Sequence, residues 1–101
     1  MSVVTPSPDT GQRLIKPADT DPRAKLKIVY GTSRDTLPRI HLLLAGLSAD
    51  IVTSRSWTHS AALGTREAEI LVAVAPHMRL EHLRKKVGAL VDVRRATIAP
   101  A

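Results

Sequence analysis

The feature that most constrains this chain is a series of apolar patterns whose period switches between two and about 3.6 residues from Lys25 to Ile98. Alternating apolar and polar residues predict half-buried strands, whereas apolar residues three and four apart predict one face of a helix. The strand pattern covers residues 26–30, 50–58, 66–75 and 91–98. The helix pattern gives two stripes, one of Leu37, Ile40, Leu44 and Leu47, and one of Leu80, Leu83, Val87 and Leu90.

This order predicts an α+β domain of the ferredoxin-like βαββαβ class, with a four-stranded antiparallel sheet and two helices on one face. Asp35 or Thr36 is a suitable cap for the first helix, and we expect the second helix to run from Met78 to Leu90. On the second strand we expect Ile51 and Trp57 to share one face, because their numbers have the same parity.

Residues 1–24 differ from the rest of the chain in composition. Pro6, Pro8, Pro17 and Pro22 lie there among Ser, Thr, Asp and Gly. Four prolines exclude a long helix, and the few apolar residues do not offset the entropy lost on ordering. We therefore expect a disordered, proline-rich N-terminal tail over residues 1–24 and one domain over residues 25–101.

Charge and cysteine content limit the classes of function. The 15 basic and 9 acidic residues give a net charge of +6, which favours contact with anionic partners. The chain has no cysteine, which excludes a disulfide framework and a thiolate zinc site. No apolar run reaches the roughly 20 residues of a membrane span, and the N-terminus lacks a signal-peptide pattern. We expect a cytoplasmic protein without a membrane segment.

Catalytic and metal-binding patterns are weak. No Ser, His and acidic residues form a recognisable set of nucleophile, base and oxyanion donors. His77 and His82 are five residues apart, which does not place two ligands on one helix face. The sequence therefore predicts no catalytic residue, no metal site and no cofactor held by this chain.

Nucleic-acid binding is an alternative from another class, because ferredoxin-like folds include RNA-recognition domains. Those domains stack bases on aromatic side chains of the central strands. The strand over residues 66–75 has no aromatic residue, and Glu67 and Glu69 lie on the face opposite the predicted core. The basic run from Arg84 to Lys86 could hold phosphate but could not read bases. A basic nucleic-acid-binding module stays as an alternative that the composition argues against.

The segment DTLPRIHLLLAGLSADIVT, residues 35–53, resembles the first helix and second strand of ACT domains. The resemblance is to the small, regulatory subunits of acetolactate synthase (acetohydroxyacid synthase), with matching residue types at Leu37, Arg39, Ile40, Leu43 and Ile51. Leu90-Val91-Asp92-Val93 resembles the Lys-Leu-Val-Asp-Val sequence near the end of the same domain. The resemblance spans about residues 25–98, as in the short, single-domain forms of these subunits.

The resemblance implies a non-catalytic regulatory subunit of branched-chain amino-acid biosynthesis. Such a subunit is a homodimer whose sheets join, and it binds and activates a catalytic large subunit that carries thiamine diphosphate, Mg and FAD. A branched-chain amino acid is the effector, bound at the dimer interface. Carried over to this chain, the effector-binding positions are Thr32, Ser33, Arg34, Asp35, Thr36, Leu37, Asp50 and Ile51. Free amides at a helix N-terminus suit an effector carboxylate.

Three of these positions depart from the family pattern. Thr32 and Asp50 stand where the family has Asn, and Asp35 stands where it has Gly. Carboxylates close to an effector carboxylate would repel it unless a basic group intervenes. We therefore expect activation with altered or lost valine feedback. A free-standing ACT amino-acid sensor that acts on another enzyme remains an alternative within the same fold.

A partner interface is expected around Trp57, which lies on an otherwise polar strand. Tryptophan is enriched among the residues that dominate binding energy at interfaces. Arg55 and Leu71 complete the predicted interface with the catalytic subunit. The alternative interpretation of Trp57 is a cover for the edge of the sheet or for a dimer seam.

Overall fold

A computed structural model describes residues 22–101 of the chain. The elements are β1 (Arg23–Gly31), α1 (Thr36–Gly46), β2 (Asp50–Ser60), β3 (Thr65–Ala73), α2 (Leu80–Gly88) and β4 (Val93–Pro100). Their order confirms the predicted βαββαβ arrangement. β1 begins two residues before the expected start of the domain, and the predicted tail up to residue 21 lies outside the described residues.

The four strands form one antiparallel sheet in the order β2-β3-β1-β4. β1 and β3 are central and pair along their whole length, with Leu26 opposite Ile70 and Ile28 opposite Ala68. β2 and β4 are the edge strands. Because consecutive strands are not all neighbours, α1 and α2 act as the crossovers of a ferredoxin-like fold.

The core lies between the helices and one face of the sheet. Its largest fully buried side chains are aliphatic: Leu26, Ile28, Ile40, Leu44, Ile70, Val72, Leu83 and Val87. They come from the predicted stripes of α1 and α2 and from alternate positions of β1 and β3. Leu37, Leu47, Leu80 and Leu90, at the ends of those stripes, are half-buried against the same cluster. The helical stripes are therefore placed as predicted.

Both helices are shorter than the apolar pattern suggests. Asp35 takes the N-cap position of α1, but its side chain makes no capping hydrogen bond. Its carboxylate instead lies 3.8 Å from Nη2 of Arg39, so Asp35 has the expected position but its side chain does not cap the helix. α2 begins two residues after Met78, whose amide donates to the carbonyl of Ala75 in a preceding turn. Within the described residues, no helix is long and apolar enough to cross a bilayer.

Three irregularities interrupt strand pairing, at Val52 and His59 of β2 and at Arg94 of β4. An extra residue reverses the alternation of faces beyond it. The irregularity at Val52 leaves Ile51 opposite the buried Val72, whereas Trp57 is opposite Glu67 on the face without helices. The prediction that Ile51 and Trp57 share one face is therefore wrong. We call the face without helices the open face; it carries Lys25, Lys27, Val29, Thr53, Arg55, Trp57, Glu67, Glu69, Leu71, Arg95 and Thr97.

Candidate functional site

A cavity of about 320 Å³ lies between the loop that follows β1 and the loop that precedes β4. Ser33, Thr36 and Arg39 line one side, and residues 89–92 line the other. The first side is the start of α1, where backbone amides lack helical partners. We call this space the loop cavity.

Asp92 joins the two sides of the loop cavity. Its backbone carbonyl accepts a hydrogen bond of 3.0 Å from the Gly31 amide. Its carboxylate accepts a hydrogen bond of 2.6 Å from the hydroxyl of Thr36, and Nη2 of Arg94 lies 3.7 Å from Oδ1. Thr36 is only 4% exposed, so the bond to Asp92 satisfies a polar group that water hardly reaches.

Gly31 leaves the room that Asp92 occupies. A Cβ atom added at Gly31 would collide with the Asp92 carboxylate, whose Cγ and Oδ2 would lie only 3.0 Å away. The end of β1 and the loop before β4 can approach this closely because residue 31 has no side chain. Asp92 therefore has a structural role that depends on Gly31 and Thr36.

The eight residues carried over as effector-binding positions fall into two groups. Ser33 and Thr36 line the loop cavity, and Leu37 packs against the core. Thr32, Arg34 and Asp35 are exposed on the same loop. Of residues 32–37, only Ser33 and Thr36 therefore line the loop cavity.

Asp50 and Ile51 lie at the opposite end of the sheet. Asp50 pairs with Ala73, whereas Gly31, just before the loop, pairs with Thr65. Thr65 and Ala73 are the two ends of β3, about 26 Å apart at roughly 3.3 Å per residue. One copy of the chain therefore does not bring Asp50 or Ile51 to the loop cavity.

Sequence reasoning missed Arg39 and Asp92 as cavity residues. Arg39 enters the family resemblance only as a matching residue type, although its i, i+4 spacing from Asp35 is typical of ion pairs on a helix. Arg39 lines the cavity together with Ser33 and Thr36 and adds a positive charge to it. Asp92 is distant in sequence from the loop that it holds, so no local pattern could have assigned it there.

The three residues predicted as a partner interface all lie on the open face. Leu71 is opposite Thr53, while Arg55 and Trp57 are opposite Glu69 and Glu67. The guanidinium carbon of Arg55 lies 5.8 Å from the centroid of the Trp57 ring, within the range of a cation–π contact. Trp57 remains 38% exposed.

Glu69 is at the centre of a charge network on the open face. Nε of Arg55 donates to its carboxylate at 3.0 Å, and Nζ of Lys25 lies 3.4 Å from its other oxygen. The hydrogen bond from Arg55, helped by the positive charge of Lys25, lowers the pKa of Glu69 even though partial burial opposes this shift. The network keeps Glu69 ionised and fixes Arg55 next to Trp57.

The described histidines serve local contacts or are exposed. Nε2 of His41 lies 2.9 Å from the hydroxyl of Ser54, which links α1 to β2. His77 and His82 are exposed. Over residues 22–101, no three histidines or acidic residues lie close enough together to hold a metal ion.

Comparison with known proteins gives structural but not sequence relatives. No protein-family model matches the sequence, and no curated protein matches it. Many solved structures superpose over most of the chain. The C-terminal domain of the MgtC protein from Mycobacterium tuberculosis gives a TM-score of 0.68 at 10% identity, over 83% of this chain and 92% of that one.

Two further structures among these are ACT domains. An ACT domain protein from Streptococcus pneumoniae gives a TM-score of 0.67 at 14% identity, over 81% of this chain and 92% of that chain. The ACT domain of GTP pyrophosphokinase from Chlorobium tepidum gives 0.63 at 19% identity, over 79% of this chain and all (100%) of the other. With the strand order and helix placement, these likenesses show that the chain has the ferredoxin-like fold of ACT domains.

Proposed function

We propose that this protein is a non-catalytic regulatory subunit that binds and activates the thiamine-diphosphate-dependent catalytic subunit of acetolactate synthase. The observation that carries the proposal is the loop cavity, whose residues Ser33 and Thr36 are positions that the family resemblance assigns to an effector. The sequence Leu90-Val91-Asp92-Val93, the second part of that resemblance, borders the same cavity. Two separate stretches of the resemblance thus meet at one place in the fold.

A homodimer would complete the effector site. β2 is an edge strand whose unpaired backbone groups can pair with another strand. If β2 pairs with its copy in antiparallel fashion about a two-fold axis, Asp50 of one protomer comes to the hairpin end of the other. Thr65, at that end, pairs with Gly31, which leads into the loop cavity. A dimer of this kind supplies both groups of predicted effector residues at each site.

Charge around the loop cavity supports an amino-acid effector with changed specificity. Arg39 lines the cavity and pairs with Asp35, so the Asp35 carboxylate is partly compensated. Asp92 also lines the cavity, and Asp50, which is exposed, would bring a further negative charge in the dimer. A branched-chain amino acid would meet the basic Arg39 and three acidic residues. We therefore expect activation of the enzyme with a weakened or lost response to valine.

The test is acetolactate formation from pyruvate by the catalytic subunit of the same organism, supplied with thiamine diphosphate, Mg²⁺ and FAD. Addition of this protein should raise the rate several-fold, and the two chains should co-elute. Valine, leucine and isoleucine are then titrated calorimetrically and in the assay. Arg39→Gln should alter any effector response and leave the activation without effector intact. Arg79→Gln, an equal change of charge at an exposed position outside the loop cavity, is the matched control.

No rise in rate, together with no co-elution, would contradict the proposal. The free-standing amino-acid sensor would then be the better interpretation, because the fold matches ACT domains from two other proteins. Calorimetry on this chain alone would test that interpretation directly. Tight valine binding with strong inhibition would keep the regulatory role but contradict the expected loss of feedback. The proposal includes the expected cytoplasmic location of the complex.

A further inference from the structure

A second cavity, of about 490 Å³, opens on the open face at the end of the sheet where the β2–β3 hairpin turns. Residues from all four strands and the hairpin line it: Val29, His59, Leu63, Thr65, Arg94 and Arg95. We call it the hairpin cavity. Its volume lies in the usual range for small-molecule sites, and it shares no lining residue with the loop cavity.

Two strand irregularities direct basic side chains to this cavity. On β4, Val93 pairs with Tyr30 and Arg95 with Val29, which leaves Arg94 as an extra residue. On β2, Thr58 pairs with Arg66 and Ser60 with Thr65, which leaves His59 as an extra residue. Regular strands would send neighbours such as Arg94 and Arg95 to opposite faces. Bulges re-aim side chains and are frequent beside functional sites.

The hairpin cavity has a small apolar base and polar groups that converge on it. Val29 and Thr65 are each only 8% exposed and form its floor, while Leu63, 76% exposed, lies at its rim. Nδ1 of His59 is 3.0 Å from the hydroxyl of Thr65, which fixes the ring and leaves Nε2 free of that bond. Val29 and Leu63 offer contact to a short apolar group.

Arg94 and Arg95 supply positive charge to the cavity, and nearby acidic residues compensate only a small part of it. Arg94 lies 3.7 Å from Oδ1 of Asp92, which is longer than a hydrogen bond. Arg95 forms no ion pair within the part of the chain that the structure describes. Guanidinium groups bind carboxylates and phosphates with paired hydrogen bonds. We propose that the hairpin cavity binds a small oxyanion, a carboxylate or phosphate carried on a short apolar body.

Besides Asp92, the acidic residue Glu67 borders the site, and its replacement tests whether the ligand is an anion. Glu67 and Arg95 flank Val29 in register on the open face. The Glu67 carboxylate, one strand away from Val29, would repel an anionic ligand. Glu67→Gln should therefore strengthen binding, whereas the arginine variants weaken it. The proposal concerns this chain alone and does not depend on the proposed enzyme partner.

The experiment is an amide NMR titration of the whole chain with inorganic phosphate and, separately, with isobutyrate, at constant ionic strength in chloride. Saturable shifts are expected at Leu63, Thr65, Arg94 and Arg95. Arg95→Gln should reduce the affinity at least tenfold, and Arg94→Gln should also reduce it. Arg79→Gln removes the same charge at the start of α2 and should leave the affinity unchanged. Thermal unfolding of each variant shows that the fold is retained.

The outcomes separate the possible ligands. Saturation by phosphate alone assigns a phosphate ester, and saturation by isobutyrate alone assigns a carboxylate. Shifts that rise linearly without saturation, or that persist equally in Arg95→Gln, would overturn the proposal, because they indicate general charge screening. Binding of polyuridylate with no response to either small anion would also overturn it and would favour a nucleic-acid surface.

Discussion

Ile70 and Glu69 are neighbours on β3, yet their side chains lie on opposite faces of the sheet and in different environments. Ile70 is fully buried beneath the helices, among aliphatic side chains from every element of the core. Glu69, on the open face, lies between Arg55 and Lys25. The helix-covered face is held together by burial of apolar surface, which depends on shape and volume. The open face is held by charge pairs and retains exposed groups for other contacts.

The difference shows where fold and function are encoded in this chain. Aliphatic residues at two periods determine which face the helices cover, and many combinations of similar volume would do the same. The open face carries particular residues that the fold does not require, among them Trp57, Arg55 and Arg95. The loop cavity and the hairpin cavity lie at one end of the sheet, near Asp92 and Arg94, and open beside different faces.

The largest difference in stability between the two faces should appear when adjacent residues of β3 are each replaced by alanine. Ile70→Ala should destabilise the domain by about 2–5 kcal/mol, because it removes a buried side chain and leaves a cavity. Leu71 is half-buried and lies on the open face, so Leu71→Ala should lower the free energy of unfolding by about 1 kcal/mol or less. Urea unfolding of both variants measures the difference. Equal losses would mean that the open face is packed against something in solution, most simply a second copy of the chain.

Changes at the contact between Gly31 and Asp92 should lower the free energy of unfolding by an intermediate amount. Gly31→Ala places a Cβ against the Asp92 carboxylate and should cost about 1–3 kcal/mol, as overpacking does. Asp92→Ala leaves the Thr36 hydroxyl unpaired and should cost about 1–3 kcal/mol. The double variant has no collision, so its loss should be smaller than the sum of the two. A strictly additive pair would show that Asp92 does not occupy the space beside Gly31.

The elements could be predicted from the sequence because each has a strong local period. The stripe of Ile40 and Leu44 and the alternation of Ile70 and Val72 identify the core without any long-range information. The faces of β2 could not be predicted beyond Val52, because one extra residue reverses the alternation and leaves no mark in the composition. For the same reason, the extra residues His59 and Arg94 could not be recognised from the sequence.

The candidate sites were predictable only in part. The family resemblance identified the loop that includes Ser33 and Thr36, but it did not show that Asp92 closes the other side. Asp92 contributes through contacts to Gly31 and Thr36 that are distant in sequence. Such contacts depend on the complete fold, so periodicity and spacing carry no information about them. The effector, the dimer and the enzyme partner stay predictions.

Replacement of Trp57 should have a smaller effect on the free energy of unfolding and a larger effect on binding to the catalytic subunit. Trp57→Ala should change the free energy of unfolding by about 1 kcal/mol or less, because the ring is partly exposed and its contact with Arg55 is weak. In the proposed complex it should weaken binding to the catalytic subunit at least tenfold, as loss of an aromatic anchor does. Thr58→Ala, at the next position of β2, which is also exposed, is the control. Unchanged affinity and stoichiometry in Trp57→Ala would remove the open face from the interface.

The smallest expected effect is the pH dependence that the open face gives to stability. Because Arg55 and Lys25 lower the pKa of Glu69 below its ordinary value of 4.5, the unfolded chain takes up this proton before the folded chain does. The resulting stabilisation is complete above pH 4.5 and is lost as the pH falls through the lower, folded value. The difference in stability between the natural chain and Glu69→Gln should therefore narrow as the pH falls from 7 to 3, as measured by urea unfolding. In an Arg55→Gln background, which lacks the main cause of the shift, the narrowing should become much weaker. A difference that stays constant with pH would show that the ion pairs of Glu69 with Arg55 and Lys25 do not stabilise the fold, and that the charges of this network are not what distinguishes the open face from the core.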